Sequence, residues 1–251
     1  MLRITRESHM IVSEVMTTQL TVTPDDTLSH AANLLRQHQF HHLPVVRAIH
    51  RHETRNSWPV LEGLITSYDI DLASSVDTKD SSNREQRPWE ERRVAEVMNR
   101  SIMRVTPTTS VAAAAQILVK RGLNCLPVIE YEESENTEQD SETRTYLVGL
   151  LTRSDLLLEL ARTLGAFEPG MDILIPLPMD DLTSLSKMLQ LAATSHTKVH
   201  SVVVAPSKKG VPHVARIRIG TINPASLLVA LQKASISYSF ANLQPEEDFH
   251  A

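Results

Sequence analysis

Four short blocks occur twice in the first two thirds of the chain, in the same order. VSEVM at Val12–Met16 returns as VAEVM at Val94–Met98, and TVTPDDTLSHAANLL at Thr21–Leu35 returns as RVTPTTSVAAAAQIL at Arg104–Leu118. LPVV at Leu43–Val46 then matches LPVI at Leu126–Ile129, and LEGLITSYDI at Leu61–Ile70 matches LVGLLTRSDL at Leu147–Leu156. An ordered series of matches is an internal duplication, and it limits the fold more than composition does. One small repeat leaves a sheet face and helix faces it cannot bury alone, so two copies should pack together.

Each copy reads as an opening segment, a short strand ending at Thr-Pro, a helix, a buried strand, a loop, and a second strand leading into another helix. The proline closes the first strand, and Asp25 or Asp26 can cap the following helix; Thr108, Thr109 or Ser110 can do so in the second copy. Leu28, Ala31, Ala32, Leu34 and Leu35 recur at helical spacing, as do Val111, Ala114, Ala115 and Leu118. The runs at Leu43–Val46 and Leu126–Ile129 are apolar on both faces, as expected for strands covered by helices. Ala48–Pro59 and Glu130–Thr145 read as polar, exposed insertions at equivalent places, the second strongly acidic. Between the copies, residues 76–93 form a polar linker, within which Trp89 can tuck onto a neighbouring surface.

The last block of each copy carries the ligand argument. Gly63-Leu64-Ile65-Thr66-Ser67-Tyr68-Asp69 recurs as Gly149-Leu150-Leu151-Thr152-Arg153-Ser154-Asp155, between a strand and a helix. Glycine permits close backbone approach, and Thr66 or Thr152 at a helix start offers a hydroxyl beside free backbone donors suited to phosphate. Asp69 or Asp155, one turn on, can accept hydrogen bonds from ribose hydroxyls. Arg153 can add a charge-assisted contact to phosphate in the second copy. The same residues also read as simple helix caps with favourably placed acids.

These blocks together, VSEVM, TVTPDDTL, HHLPVV and GLITSYD followed by VAEVM, RVTPTTSV, NCLPVI and GLLTRSD, resemble a tandem pair of CBS domains, over residues 11–75 and 94–164. The resemblance implies a regulatory module that binds adenosine-containing nucleotides (the AMP, ADP and ATP class) in clefts between the repeats and assembles as a flat dimer of pairs. It also implies crossed sites. One would join Gly63, Thr66 and Asp69 with Ile102, Met103 and Leu123; the other would join Gly149, Thr152, Arg153 and Asp155 with Gln19, Leu20 and Phe40. Phe40, Leu20, Met103 and Leu123 read equally well as ordinary core residues.

After the glycines and proline of Gly165–Gly170 the periodicity changes. Strand, helix, strand, strand, helix, strand follow over residues 171–240, with Met171–Leu177 as the first strand. Asp180 or Asp181 caps a helix whose Leu182, Leu185, Leu189 and Ala192 face a core. A small sheet covered on one side by two helices results. The order resembles an ACT-like domain, and the combination resembles acetoin-utilisation regulatory proteins of the AcuB type. The glycine-rich turn of amino-acid-binding ACT domains is replaced by Leu177-Pro178-Met179-Asp180-Asp181-Leu182, so the expected role is pairing across a dimer. The expected fold class is thus α/β and α+β: a CBS pair followed by a βαββαβ domain.

Other function classes find little support. Across 251 residues, 25 Lys and Arg stand against 30 Asp and Glu, a net charge of -5 that gives nucleic acid no general attraction. A single cysteine, Cys125, excludes an intrachain disulfide and suggests a reducing, cytoplasmic setting. The apolar runs are too short to span a bilayer. Among the 11 histidines, His38, His41, His42, His50 and His52 cluster in sequence but lack the H-E-x-x-H pattern of a zinc hydrolase. Cys125 has no base near it in sequence, and no catalytic acid-base pair is identifiable. The expectation is a non-enzymatic homodimer without a required cofactor, responsive to an adenosine nucleotide and acting on an unidentified regulated protein; a structural interaction module is the alternative.

Overall fold

The structure, a computed structural model, describes residues 10–18, 20–50, 57–77, 87–132, 144–178, 181–204, 213–221 and 223–241. The chain divides into two units, Met1–Leu156 and Leu157–Ala251.

In the first unit each copy contributes a helix, a β-hairpin and a second helix. Copy one supplies α1 (Leu28–His38), β1 (His42–His50), β2 (Ser57–Thr66) and α2 (Ser67–Asp77). Copy two opens with the short α3 (Val94–Val97) and supplies α4 (Val111–Arg121), β3 (Cys125–Glu132), β4 (Arg144–Thr152) and α5 (Arg153–Thr163), the last of which runs on into the second unit. The hairpins join in one sheet of order β1-β2-β4-β3 through the pair Val60 and Tyr146. Both carry a register shift at the same place, between Val45 and Val46 and between Val128 and Ile129. This bulge sits just before Gly63 and Gly149 and re-aims the strand ends that carry the threonines.

Several local expectations change. Thr27, rather than Asp25 or Asp26, caps α1 by accepting from the amide of His30 at 3.2 Å. Asp26 accepts from the amide of Thr23 at 2.6 Å, and Asp25 pairs with Arg93. In the second copy Ser110 is the cap, accepting from the amide of Ala113. The strands expected before Thr-Pro reduce to single parallel bridges, Val22 with Val45 and Val105 with Val128. Both polar insertions continue the hairpins: Ile49 pairs with Trp58, and Glu132 with Arg144, while residues 51–56 and 133–143 lie outside the described ones. Trp89 packs against the first core, as expected.

The opening segments exchange partners. Val12, at the head of copy one, is fully buried among Val105, Ala114, Leu118, Leu126, Val128 and Leu151 of copy two. Val94 and Met98, at the head of copy two, are buried with Leu28, Ala31, Leu43 and Ile65 of copy one. Backbone bonds fix the exchange in matching positions: the amide of Val12 donates to Thr109 O and that of Val94 to Asp26 O. Thr17 bonds reciprocally with Leu150, and Asn99 with Leu64.

The second unit has the expected order, β5 (Met171–Leu177), α6 (Thr183–Thr194), β6 (Val199–Val204), β7 (His213–Ile219), α7 (Ala225–Lys233) and β8 (Ser239–Phe240). Its antiparallel sheet runs β6-β7-β5-β8, the split-βαβ arrangement. Alternation brings Ile173, Ile175 and Leu177 together with Ala215, Ile217 and Ile219 on the helix-covered face. From the helices, Leu185, Met188, Ala192, Leu227 and Leu231 complete this core. Leu182, expected to face inward, precedes α6 and is 55% exposed; Met188 takes the inward place. Asp181 holds the helix start by accepting from the amide and hydroxyl of Thr183, while Asp180 lies outside the described residues. The Gly165–Gly170 break is tied down by Arg218, which donates to Gly165 O at 2.6 Å, Glu168 O at 3.0 Å and Asp172 Oδ1 at 3.2 Å.

Candidate functional site

At the ends of β2 and β4 the chain passes without a loop into α2 and α5, so each threonine is both last strand residue and helix cap. The amide of Thr66 donates to Asp69 Oδ2 at 2.9 Å and its hydroxyl donates to the same oxygen at 2.6 Å, while the Asp69 amide donates to Thr66 Oγ1 at 3.2 Å. Thr152 and Asp155 repeat this arrangement at 2.8, 2.6 and 3.1 Å. Each pair is a reciprocal capping box, with aspartate in the place more often held by Glu or Gln. The box occupies one carboxylate oxygen. Among the described residues, Oδ1 of either aspartate receives no hydrogen bond.

Two clefts open beside these boxes, each built from both copies. The first, of about 410 Å³, places Thr66 with Asn99, Ser101, Ile102, Met103 and Leu123, and Arg121 stands at it. The second, of about 590 Å³, places Thr152, Arg153, Ser154 and Asp155 with Thr17, Thr18 and Phe40. Both volumes fall in the range of about 300–1,000 Å³ usual for small-molecule sites. The residues grouped from the sequence as Thr66 with Ile102, Met103 and Leu123, and as Thr152, Arg153 and Asp155 with Phe40, therefore come together.

Others stand elsewhere. Asp69 is not part of the first cleft's lining, although its box partner Thr66 is. Leu20 is 41% exposed and lines neither cleft, and Gln19 lies outside the described residues; Thr17 and Thr18 hold that wall instead. Gly63 and Gly149 also line neither cleft. What approaches them is the exchanged opening segment: a Cβ at Gly63 would stand 2.9 Å from Met98 Sδ, and one at Gly149 would stand 2.7 Å from Met16 Sδ. Their small size serves packing between the copies. Arg153 reaches back from the second cleft, donating to Leu118 O at 3.3 Å.

Sequence reading missed His41, His42 and Asn124. His42 and Asn124 each line both clefts. The available signal was their place directly before the matched LPVV and LPVI blocks. Burial first, then the neighbouring His41, holds the His42 pKa below the ordinary histidine value, and Asp69 works against both. Cys125 stands where His42 does in the other copy; burial pushes its thiol up to about 12. His38 stacks on Phe40 with ring centroids 5.6 Å apart. Among the described residues no three His, Cys, Asp or Glu side chains gather as a metal site, and no helix is long and apolar enough to cross a membrane.

Comparison with known proteins places the repeats. Residues 12–75 and 94–162, just over half of the chain, match the CBS domain family. The CBS domain-containing protein YhcV of Bacillus subtilis (strain 168) is 31% identical over 120 residues, covering 47% of this chain and 72% of that protein. A homoserine O-acetyltransferase of Methanosarcina acetivorans is 28% identical over 126 residues, 50% of this chain but 19% of that protein. Among solved structures, a candidate acetoin utilization protein (AcuB) from Vibrio cholerae is 24% identical, with a TM-score of 0.45 over 63% of this chain and 95% of that one. CBSX2, solved in complex with AMP, is 21% identical, with a TM-score of 0.41 over 61% of this chain and 97% of that one.

Proposed function

The chain belongs to the CBS domain family, and on that premise we propose that its two clefts bind an adenosine-containing nucleotide of the AMP, ADP and ATP class and that the protein is a non-enzymatic regulatory module. One observation carries the reading. The Thr-x-x-Asp box is duplicated at a helix N-terminus, with Thr66 lining the first cleft and both Thr152 and Asp155 lining the second, where the box leaves one carboxylate oxygen of Asp155 uncommitted. A helix N-terminus favours phosphate, and the spare oxygen suits a ribose hydroxyl. Apolar Ile102, Met103 and Leu123 in one cleft and Phe40 in the other provide surfaces for a base.

Ligand in a cleft touches both copies, so it favours one arrangement of the pair and passes that preference to a partner surface. Tyr68 and Leu72, one turn apart on α2, are 72% and 53% exposed and suit pairing with a second copy. In the second unit, the ACT-like assignment rests on the βαββαβ order. Its pairing across a dimer is supported by the edge strand β6, whose Val202, Val203 and Val204 are exposed.

The capping box suggests how to separate ligand binding from folding. Asp155→Asn keeps one acceptor oxygen for the box and gives up the other; Asp155→Ala removes both. We expect Asn to leave stability within about 0.5 kcal/mol and to weaken AMP or ADP binding at least tenfold, and Ala to cost about 1 kcal/mol as well. Calorimetric titration of ligand-free protein with AMP, ADP and ATP measures the first quantity and urea unfolding the second. If none of the nucleotides binds wild-type protein, the threonine–aspartate pairs are caps alone and the clefts belong to an interaction module.

A further inference from the structure

We propose that binding of an anionic nucleotide in either cleft is coupled to protonation of His42, a single histidine that forms part of the wall of both. The inference rests on the nucleotide reading above and adds to it a proton and a link between the two sites.

The geometry comes from a difference between the copies. His42 begins β1 and pairs across the antiparallel ladder with Thr66, so its side chain shares a face with the capping threonine; Cys125 holds the matching position opposite Thr152. Only the first copy therefore has a titratable imidazole at this place, and it lines both clefts. Cys125 lines the first cleft alone, and its thiol stays protonated at neutral pH.

The charges facing His42 set the sign. His41 beside it opposes protonation and Asp69 on α2 favours it. At the first cleft stands Arg121 from the end of α4; at the second stand Arg153 and Asp155 from the start of α5. In the free protein burial, seconded by His41, keeps His42 neutral below the pH at which an ordinary histidine would charge. A phosphate brought into either cleft adds negative charge beside the ring and favours the imidazolium. Binding then takes up a proton, and affinity rises as pH falls through the window between the free and the bound pKa. A one-unit rise of that pKa on binding corresponds to an affinity change of about tenfold across the window. Because one histidine serves two clefts, the proton gained with the first ligand is already in place for the second. Nucleotide in one cleft thus strengthens binding in the other at pH values where the free ring is neutral.

Calorimetric titration with AMP, in two phosphate-free buffers of different ionisation heat near about pH 6.5, tests this. For wild-type protein the apparent heat should differ between the buffers. For His42→Gln, and for His42→Cys, which copies the residue tolerated at the matching position, the difference should be smaller by the proton His42 takes up, leaving only what the AMP phosphate, itself titrating at about pH 6, contributes. Buffer dependence of the same size in the wild type and in both variants overturns the proposal. Should a variant fail to fold or bind, NMR titration of the wild-type His42 ring with and without AMP decides, since its pKa must rise when AMP is added. Absence of any AMP binding by wild-type protein instead removes the nucleotide reading itself, a result distinct from binding without proton uptake.

Discussion

His42 and Cys125 begin equivalent strands, face equivalent threonines, and differ in what burial does to them. Burial disfavours the charged form of each, lowering the imidazole pKa and raising that of the thiol. With a pKa of about 12, Cys125 is almost wholly thiol at neutral pH. Native protein treated with iodoacetamide at about pH 8 should modify Cys125 about three orders of magnitude more slowly than urea-unfolded protein, since the thiolate is the nucleophile. Mass spectrometry of timed samples gives both rates; comparable rates would show the thiol to be accessible and ionised. The inert character of Cys125 was legible in the apolar run NCLPVI. The role of His42 was not, because its interest lies in standing between two clefts, and a position shared by two sites has no signature within either repeat.

The matched helices α1 and α4 end differently. Both close with a residue in the left-handed region, Gln39 at φ 55° and Gly122 at φ 64°. Glycine adopts this conformation without strain, whereas a side chain crowds its own backbone there. A Cβ at Gly122 would meet no atom within 4 Å, so any cost of a side chain at that position is one of backbone conformation alone. Gln39→Gly should therefore raise stability by about 0.5–1 kcal/mol, net of the added freedom of the unfolded chain, and Gly122→Gln should lower it by about 1 kcal/mol. Urea midpoints at unchanged m-value measure both, and a destabilised Gln39→Gly would refute the argument. Glycine after Arg121 is the usual mark of a helix stop, whereas Gln39 carries no such mark. Strand ends were likewise obscured, because the polar residues around Trp58 and Arg144 suit an exposed hairpin as well as a loop. In the second unit the periodicities of β5, α6, β7 and α7 were strong enough to place each element, and the inward Met188 was missed because Leu182, Leu185, Leu189 and Ala192 make a complete helical stripe without it.

At the scale of the whole molecule, the duplication predicted that two copies would pack together, but not that they would exchange their opening segments. VSEVM and VAEVM offer nearly the same apolar side chains, so either would fill either core, and sequence similarity cannot reveal which lobe receives which. The exchange explains the paired glycines: Met16 and Met98 approach Gly149 and Gly63 across the copies, and the same segments bring Thr17, Thr18, Asn99 and Ser101 to the clefts. Packing of the copies and completion of the clefts are thus linked, since the crossing segments finish part of the lining of each cleft. Val12 and Val94 report on this directly, each being fully buried in the core of the copy to which it does not belong in sequence. Truncating either to alanine removes two methyl groups from a packed interior and should cost about 1–2.5 kcal/mol. The location of the loss is the sharper expectation. Hydrogen exchange read by mass spectrometry should show Val12→Ala weakening protection chiefly in α4, β3 and β4, and Val94→Ala chiefly in α1, β1 and β2. If each substitution instead loosened the elements of its own repeat, the two lobes would be closed units, and a ligand lodged between them could not act through the segments that join them.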